Sequence, residues 1–249
     1  MNKVWLRFYE ELNDFLTLQK RNQGFEHAVA ARTAIKDLIE SLGVPHAEVD
    51  LILVNGQSVN FSYQVKGGDH IAVYPVFESF DISTLTHLRA KPLRNTAFIL
   101  DVHLGKLARY LRLLGFDSAY QNNFADSEII QRSQAEKRII LTRDVGLLKH
   151  KIITHGYWLR SNKPLTQISE VLKRFDLYQA CKPFSRCLEC NGELKAVPKA
   201  EVIMHLQALT KKHYEQFTRC INCHRIYWQG THYQKLKRFV EQILDEKIA

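Results

Sequence analysis

Residues 97–144, AFILDVHLGKLARYLRLLGFDSAYQNNFADSEIIQRSQAEKRIILTRD, decide how the chain folds. An apolar run, Ala97 to Leu100, stops at Asp101, and a second, Ile139 to Thr142, stops at Arg143 and Asp144. Both read as short buried strands, and two helical patterns lie between them. Leu104, Leu107, Ala108, Leu111 and Leu114 mark the first helix; Ile129, Ile130, Ser133 and Ala135 mark the second. Strand, helix, helix, strand is the order of a parallel α/β sheet, in which sites collect at the carboxyl ends of strands. Asp101 and Asp144 stand at two such ends, and Gly105 lets another group approach the first of them closely.

A carboxylate at the mouth of a buried strand is costly unless its charge is compensated. A hard divalent cation, Mg²⁺ or Mn²⁺, compensates it through carboxylate oxygens and can activate water and stabilise a leaving phosphate oxygen. Asp126 or Glu128, at the start of the second helix, would supply the third carboxylate. Each position also has a plainer role. Asp126 in ADSE suits a helix cap, and Asp144 can cap the segment Val145 to Leu148. His103 beside a strand end reads as structural.

The motif DVHLGKLARYLRLLGFD, a D-x-E helix start and RIILTRD together resemble the Mut-seven C-terminal ribonuclease family, a branch of the PIN-like nucleases, over residues 96 to 180. The resemblance implies a compact α/β nuclease fold with an acidic cluster that binds divalent metal to cut RNA. Carried over by position, the cluster is Asp101, Asp126 and Asp144, with Glu128 as a neighbour; Lys106, Arg109 and Arg143 are the basic residues near enough to meet phosphate. RNA as substrate, and endonucleolytic rather than exonucleolytic cutting, are expectations of the resemblance alone.

Charge agrees with a polyanionic partner. The net charge is +9, but residues 1–80 carry 7 basic and 10 acidic side chains, residues 81–180 carry 16 and 9, and residues 181–249 carry 12 and 7. A phosphate backbone would therefore meet the last two thirds of the chain. No apolar run approaches the ~18 residues of a membrane span, and MNKVWLRFYEEL has no continuous apolar core of a signal peptide. A cytoplasmic protein without a membrane partner is expected.

Residues 1–80 begin with a strand-like VWLRFY and a polar loop. A helical pattern follows, Ala30, Ala34, Ile35, Leu38, Ile39 and Leu42, closed by Gly43. LILVNG leads into an Asn55-Gly56 turn, SVNFSYQV alternates as a strand, and Gly67-Gly68-Asp69 turns the chain into HIAVYPVF. The order resembles a ubiquitin-like β-grasp domain of the sulfur-carrier kind. Those carriers act through a free C-terminal Gly-Gly, whereas Gly67-Gly68 here precedes a strand and reads as a turn. A binding or scaffolding role toward a protein partner is therefore expected in place of sulfur transfer. Residues 81–95, with a proline and several basic side chains, read as a linker. Beyond the central stretch, Gly156 to Leu159 forms a further strand and Pro164 opens a helix.

Residues 181–249 form a third region. Cys187-x-x-Cys190 and Cys220-x-x-Cys223 place two pairs of sulfurs on two tight turns, the pattern of a closed tetrahedral zinc site. The inner cysteines are separated by 29 residues, with a short helix expected between Val202 and His213. A disulfide reading requires an oxidising compartment. Cys181 reads as a small apolar filler, and His224 and His232 as bystanders to a saturated site. RCLECNGEL and RCINCHRIYWQGTHY resemble the zinc ribbon appended to the same ribonuclease family. Tyr227, Trp228, His232 and Tyr233 beside Arg225 and Lys235 suit either stacking on single-stranded RNA or covering the ribbon's core.

The expected architecture is a PIN-like parallel α/β domain at 96–180, preceded by an α+β β-grasp domain at 1–80 and a linker at 81–95, and followed by a zinc ribbon with a C-terminal helix at 181–249. The expected function is a metal-dependent ribonuclease using Mg²⁺ or Mn²⁺, with structural Zn²⁺ at the four cysteines. The alternative is a non-catalytic RNA-binding adaptor with a degenerate site.

Overall fold

In the computed structural model, which describes residues 2–75 and 96–245, the first strand, β1 (Asn2–Phe8), buries every second side chain: Val4, Leu6 and Phe8 face the core. It pairs antiparallel with β2 (Phe25–Val29). Helix α1 (Ile35–Ser41) then crosses to β3 (Val49–Val54), which turns through Asn55 and Gly56, both at positive φ, into β4 (Gln57–Ser58). β5 (His70–Pro75) returns through the middle, parallel to β1 and antiparallel to β3. The resulting order β2-β1-β5-β3-β4, with its central parallel pair and one crossing helix, is the β-grasp arrangement. Leu6, Phe8, Leu12, Ile35, Ile39 and Ile52 fill its core.

Two local expectations change here. Residues 25–29 are a strand where a polar loop was expected, because the alternation in FEHAV pairs with β1; the helix accordingly starts at Ile35 and leaves out Ala30. SVNFSYQV is a strand only at its first residue: the Asn60 side chain accepts from Ser62 N at 3.0 Å and closes a turn that ends the extended run. Gly68, at φ 87°, makes the expected glycine turn. The linker expected at 81–95 lies outside the described residues.

Beyond it come β6 (Ala97–Leu100), α2 (Gly105–Leu113), β7 (Asp117–Ala119), α3 (Asp126–Glu136), β8 (Ile139–Thr142), α4 (Val145–Leu148), β9 (Gly156–Trp158) and α5 (Pro164–Arg174). β6 pairs with β7 and β8 with β9, both in parallel, a pairing that needs the crossover a helix supplies. The C-terminal region follows with β10 (Leu194–Val197), the short helices α6 (Lys199–Val202) and α7 (Ala208–His213), β11 (Phe217–Cys220), β12 (Ile226–Trp228) and α8 (Thr231–Asp245). β10, β11 and β12 form an antiparallel sheet in that order. The short helix expected between Val202 and His213 is α7, and α6 ends where that range begins. No helix among the described residues is long and apolar enough to cross a membrane.

Contacts sort the chain into two compact units. One holds residues 1–95 and 125–158, so the β-grasp domain shares a unit with α3, β8, α4 and β9. The other holds 96–124 and 159–249. In this second unit Phe98, Ile99 and Leu100 of β6 are fully buried, and the α2 stripe Leu107, Ala108, Leu111 and Leu114 packs with Ile168, Val171 and Leu172 of α5. The Phe98 ring meets Phe116 at 6.5 Å and Phe175 at 5.6 Å. The three-stranded sheet keeps a separate small core of Val202, Leu206 and Phe217, flanked by Val197, Tyr214 and Ile226.

Candidate functional site

The strongest site is built by two similar turns. In the first, Cys187 N donates to Gly192 O and Asn191 N to Cys187 O, with Asn191 at φ 69°. In the second, Cys220 N donates to Arg225 O and His224 N to Cys220 O, with His224 at φ 59°. The left-handed residue four places after each leading cysteine folds each CxxC so that both sulfurs face inward. Sγ of Cys187 lies 3.6 Å from that of Cys223, Sγ of Cys190 lies 3.3 Å from that of Cys220, and all four fall within 4.8 Å of one another. Four thiolates about 2.3 Å from a tetrahedral zinc stand about 3.8 Å apart, so the set fits zinc. Disulfide sulfurs would be about 2 Å apart, which these are not.

Burial and mutual proximity shift the thiols in different directions. Cys190 is pushed up to about 12, by burial and then by the neighbouring thiols. Cys187 is also pushed up by burial, but hydrogen bonds from the Cys190 backbone and the Tyr227 hydroxyl prevail and bring it to about 7. Tyr227 lies 3.1 Å from that sulfur, and its own pKa is raised. Cys181 stands apart, its thiol pushed up to about 11 by burial, as suits a filler.

One residue that sequence reasoning missed secures this centre. Arg112, on α2, is only 3% exposed. Its guanidinium donates to Ser118 O at 3.0 Å, and to Leu188 O at 3.1 Å and Glu189 O at 2.7 Å on the tip of the first cysteine turn. Asn191 adds to the attachment, accepting from Ser118 N and donating to Asp117. The signal available in the sequence was a lone arginine inside the apolar run Leu111 to Leu114.

The sequence-predicted carboxylates divide between the two units. Asp101, 8% exposed, ends β6 in the second; its carbonyl accepts from Leu104 N to start the turn into α2. The next carbonyl, of Val102, accepts from the Tyr120 hydroxyl at 2.8 Å. A Cβ on Gly105 would lie 2.7 Å from that hydroxyl oxygen, which is the close approach the glycine permits. Asp126 and Asp144 belong to the first unit. Asp126 is the exposed first residue of α3; the cap position itself falls to Ala125, which has no capping side chain. Glu128 pairs with Arg132 at 3.0 Å, one turn on. Asp144 is the cap of α4, with Oδ1 accepting from Gly146 N at 2.7 Å. Among the described residues, the four cysteines are the one group of three or more metal-ligating side chains gathered to within 4.8 Å. Lys106 and Arg143 are exposed, whereas Arg109 pairs with Glu189 beside the cysteine turn at 3.1 Å.

Within the first unit the β-grasp domain grips the end of β9. The Glu48 carboxylate accepts from Trp158 N at 2.5 Å, the Phe15 ring lies 5.1 Å from the Trp158 ring, and the indole Nε1 of Trp158 donates to Arg143 O at 3.2 Å. Nearby, His46 Nε2 donates to Ile153 O at 2.9 Å, and Lys149 Nζ to Glu40 O at 3.0 Å. A chain of contacts therefore runs from the β-grasp domain to the residue before Asp144.

Fold and site together define a class: a parallel α/β protein carrying a tetrathiolate ribbon behind it and a β-grasp domain ahead of it. Residues 96–240 match the Mut7-C RNAse domain and residues 1–81 the Mut7-C ubiquitin domain. The chain belongs to the Mut7-C RNAse domain family, and a ribonuclease-type function follows from that membership. No curated protein matches it. Two crystal structures of the small archaeal modifier protein SAMP1 from Haloferax volcanii are similar at 14% identity and a TM-score of 0.25. They cover 30% and 31% of this chain and 98% and 99% of their own, too faint a likeness to add to the fold.

Proposed function

We propose that the protein is a metal-dependent ribonuclease that cuts RNA internally, with Asp101, Asp126 and Asp144 holding Mg²⁺ or Mn²⁺ and Glu128 beside them. The observation that carries the reading is the family match over residues 96–240, together with acidic residues at all three positions that the resemblance implies. Bound to these carboxylates, the cation would supply the charge that activates water for attack on phosphorus. The protein's own part is to fix the carboxylates: Asp101 after the three buried residues that end β6, Asp144 through its bond to Gly146 N, which engages one oxygen, Oδ1. Lys106 and Arg143 offset phosphate charge from exposed positions. Zinc at Cys187, Cys190, Cys220 and Cys223 takes no part in the chemistry and holds the C-terminal module together. The β-grasp domain serves as a scaffold and a surface for a protein partner. The three modules divide at 1–80, 96–180 and 181–249, and the protein works in the cytoplasm.

The test is incubation of the purified full chain with a circular single-stranded RNA, with Mn²⁺ or with EDTA, beside Asp101→Asn. Linearisation of the circle that requires the metal and disappears in the variant is the expected result. Binding without metal-dependent cleavage overturns the reading in favour of an adaptor, and loss of nucleotides only from linear RNA overturns internal cutting.

A further inference from the structure

A cleft of about 950 Å³ opens between the ribbon and α8 in the second unit. Its volume is at the upper end for a small-molecule site and its walls are aromatic: Trp228, Tyr214, Tyr233 and Phe184 line it, with Arg109 and Arg225 at its edge. These aromatics are not all needed for packing. The ribbon's core is Val202, Leu206 and Phe217 with three flanking residues, and Trp228 is not among them. The Trp228 ring is instead 39% exposed on the last strand of the sheet, an arrangement that costs apolar surface in water and serves no fold contact in that core. A Cβ at Gly230 would lie 3.0 Å from the indole Nε1, so glycine there leaves the ring its place at the cleft wall.

Charge selects the occupant. Arg109 at 3.1 Å and Arg225 at 3.7 Å share the single carboxylate of Glu189, both arginine side chains are more than half exposed, and the trio keeps a net positive charge with donors to spare. Residues 181–249 carry a surplus of five positive charges, with exposed Lys235, Lys237 and Arg238 on α8, the helix whose Tyr233 and Leu236 line the cleft. Flat apolar faces edged with guanidinium groups suit a ligand with π faces and phosphates. A duplex hides its base faces; a single strand does not.

We propose that this cleft binds unpaired bases of single-stranded RNA, with the Trp228 indole as the stacking face and Arg109 and Arg225 meeting backbone phosphates. The choice of RNA rests on the ribonuclease reading; the stacking site rests on the cleft itself.

The experiment uses the full-length zinc-loaded protein and a 5′-fluorescein-labelled 12-nucleotide oligouridylate, in buffer without Mg²⁺ or Mn²⁺. Anisotropy gives Kd, and tryptophan emission is followed with the unlabelled oligonucleotide. Trp228→Ala should weaken binding at least about fivefold, the low end of what one stacked base contributes, while Trp228→Phe stays within about threefold because it retains a ring. Emission should be quenched in the wild type and not in Trp228→Phe, in which Trp5 and Trp158 remain. Zinc content of each variant shows that the ribbon is intact. Wild-type affinity in Trp228→Ala, unquenched emission, or equal affinity for the same sequence as a duplex each overturns the proposal. Cleavage of the oligonucleotide with Mn²⁺ separates the two ideas. An unchanged KM in Trp228→Ala removes the cleft and leaves the nuclease, whereas Trp228-dependent binding without any cleavage removes the nuclease and leaves the cleft.

Discussion

Replacing Arg112 with methionine preserves most of the side chain's length and removes its charge and donors. The three closest bonds, to the carbonyls of Ser118, Leu188 and Glu189, are all made by a charged donor at 3.1 Å or less. Such bonds contribute about 1.5–3 kcal/mol each, but the three do not simply add. Leu188 and Glu189 sit on a water-accessible turn where their carbonyls can rehydrate, and methionine avoids the cost of burying a guanidinium. Ser118 is fully buried, and its carbonyl loses this partner outright. The balance is a loss of about 3 kcal/mol, or about 6–12 °C in the melting of the unit that carries the ribbon. Zinc should suffer with it. A tetrathiolate keeps two negative charges after binding Zn²⁺, and Arg112 is the buried cation beside Cys187 and Cys190. Competition with a chromogenic chelator should show zinc affinity falling about tenfold or more in Arg112→Met, with Arg112→Lys between the two because it keeps the charge and loses the fork. A methionine variant that melts within 2 °C of the wild type and holds zinc equally well would refute this account of how the ribbon is attached.

Cys190→Ser should abolish stoichiometric zinc, read by metal analysis, and raise susceptibility to proteolysis across residues 185–228, since three thiolates and a hydroxyl no longer close the site. Acidification should release zinc from the wild type, because the metal requires all four sulfurs deprotonated and Cys190 binds its proton tightly; a chelator assay at pH 5 and 7.5 should find the weaker retention at pH 5. Gly105→Ala sets a propensity gain of about 1 kcal/mol at a helix start against a contact 2.7 Å from the Tyr120 hydroxyl; overpacking of about 1–3 kcal/mol prevails, and denaturant titration should show net destabilisation that Tyr120→Phe partly relieves. Trp158→Phe retains a ring against Phe15 and removes the donor to Arg143 O, so global stability should change by about 1 kcal/mol or less while the cleavage rate falls and RNA affinity does not.

Periodicity carried most of the architecture. A run of four residues that stops at Asp101, and a second that ends in Thr142 before Arg143 and Asp144, read as buried strands, and the stripe from Leu104 to Leu114 as the helix covering one of them. The cysteine spacing was equally legible, since CxxC constrains local geometry within five residues. What could not be read was anything that depends on where a polar side chain finds its partner in the fold. Arg112 interrupts an apolar helix for a turn 76 residues away, and Glu48 is buried for the backbone of a residue 110 positions on. The β2 strand was hidden for a different reason: FEHAV alternates weakly and becomes a strand only because β1 offers an edge.

The contacts of Trp158 suggest why a β-grasp domain without a free Gly-Gly end is retained on this chain. β9 is only three residues long, and strands that short hold their register poorly without outside support. Support comes from the β-grasp side, through the buried Glu48 carboxylate on Trp158 N, Phe15 against its ring, and His46 on the carbonyl of Ile153 in the approach to β9. Trp158 passes that support to the carbonyl of Arg143, and the next residue, Asp144, begins α4 with its own side chain as the cap. Under the proposed reading, in which Asp144 faces a cation, its backbone must not drift. The domain that looks like an added module is, in its contacts, a brace for the strand end where that carboxylate stands.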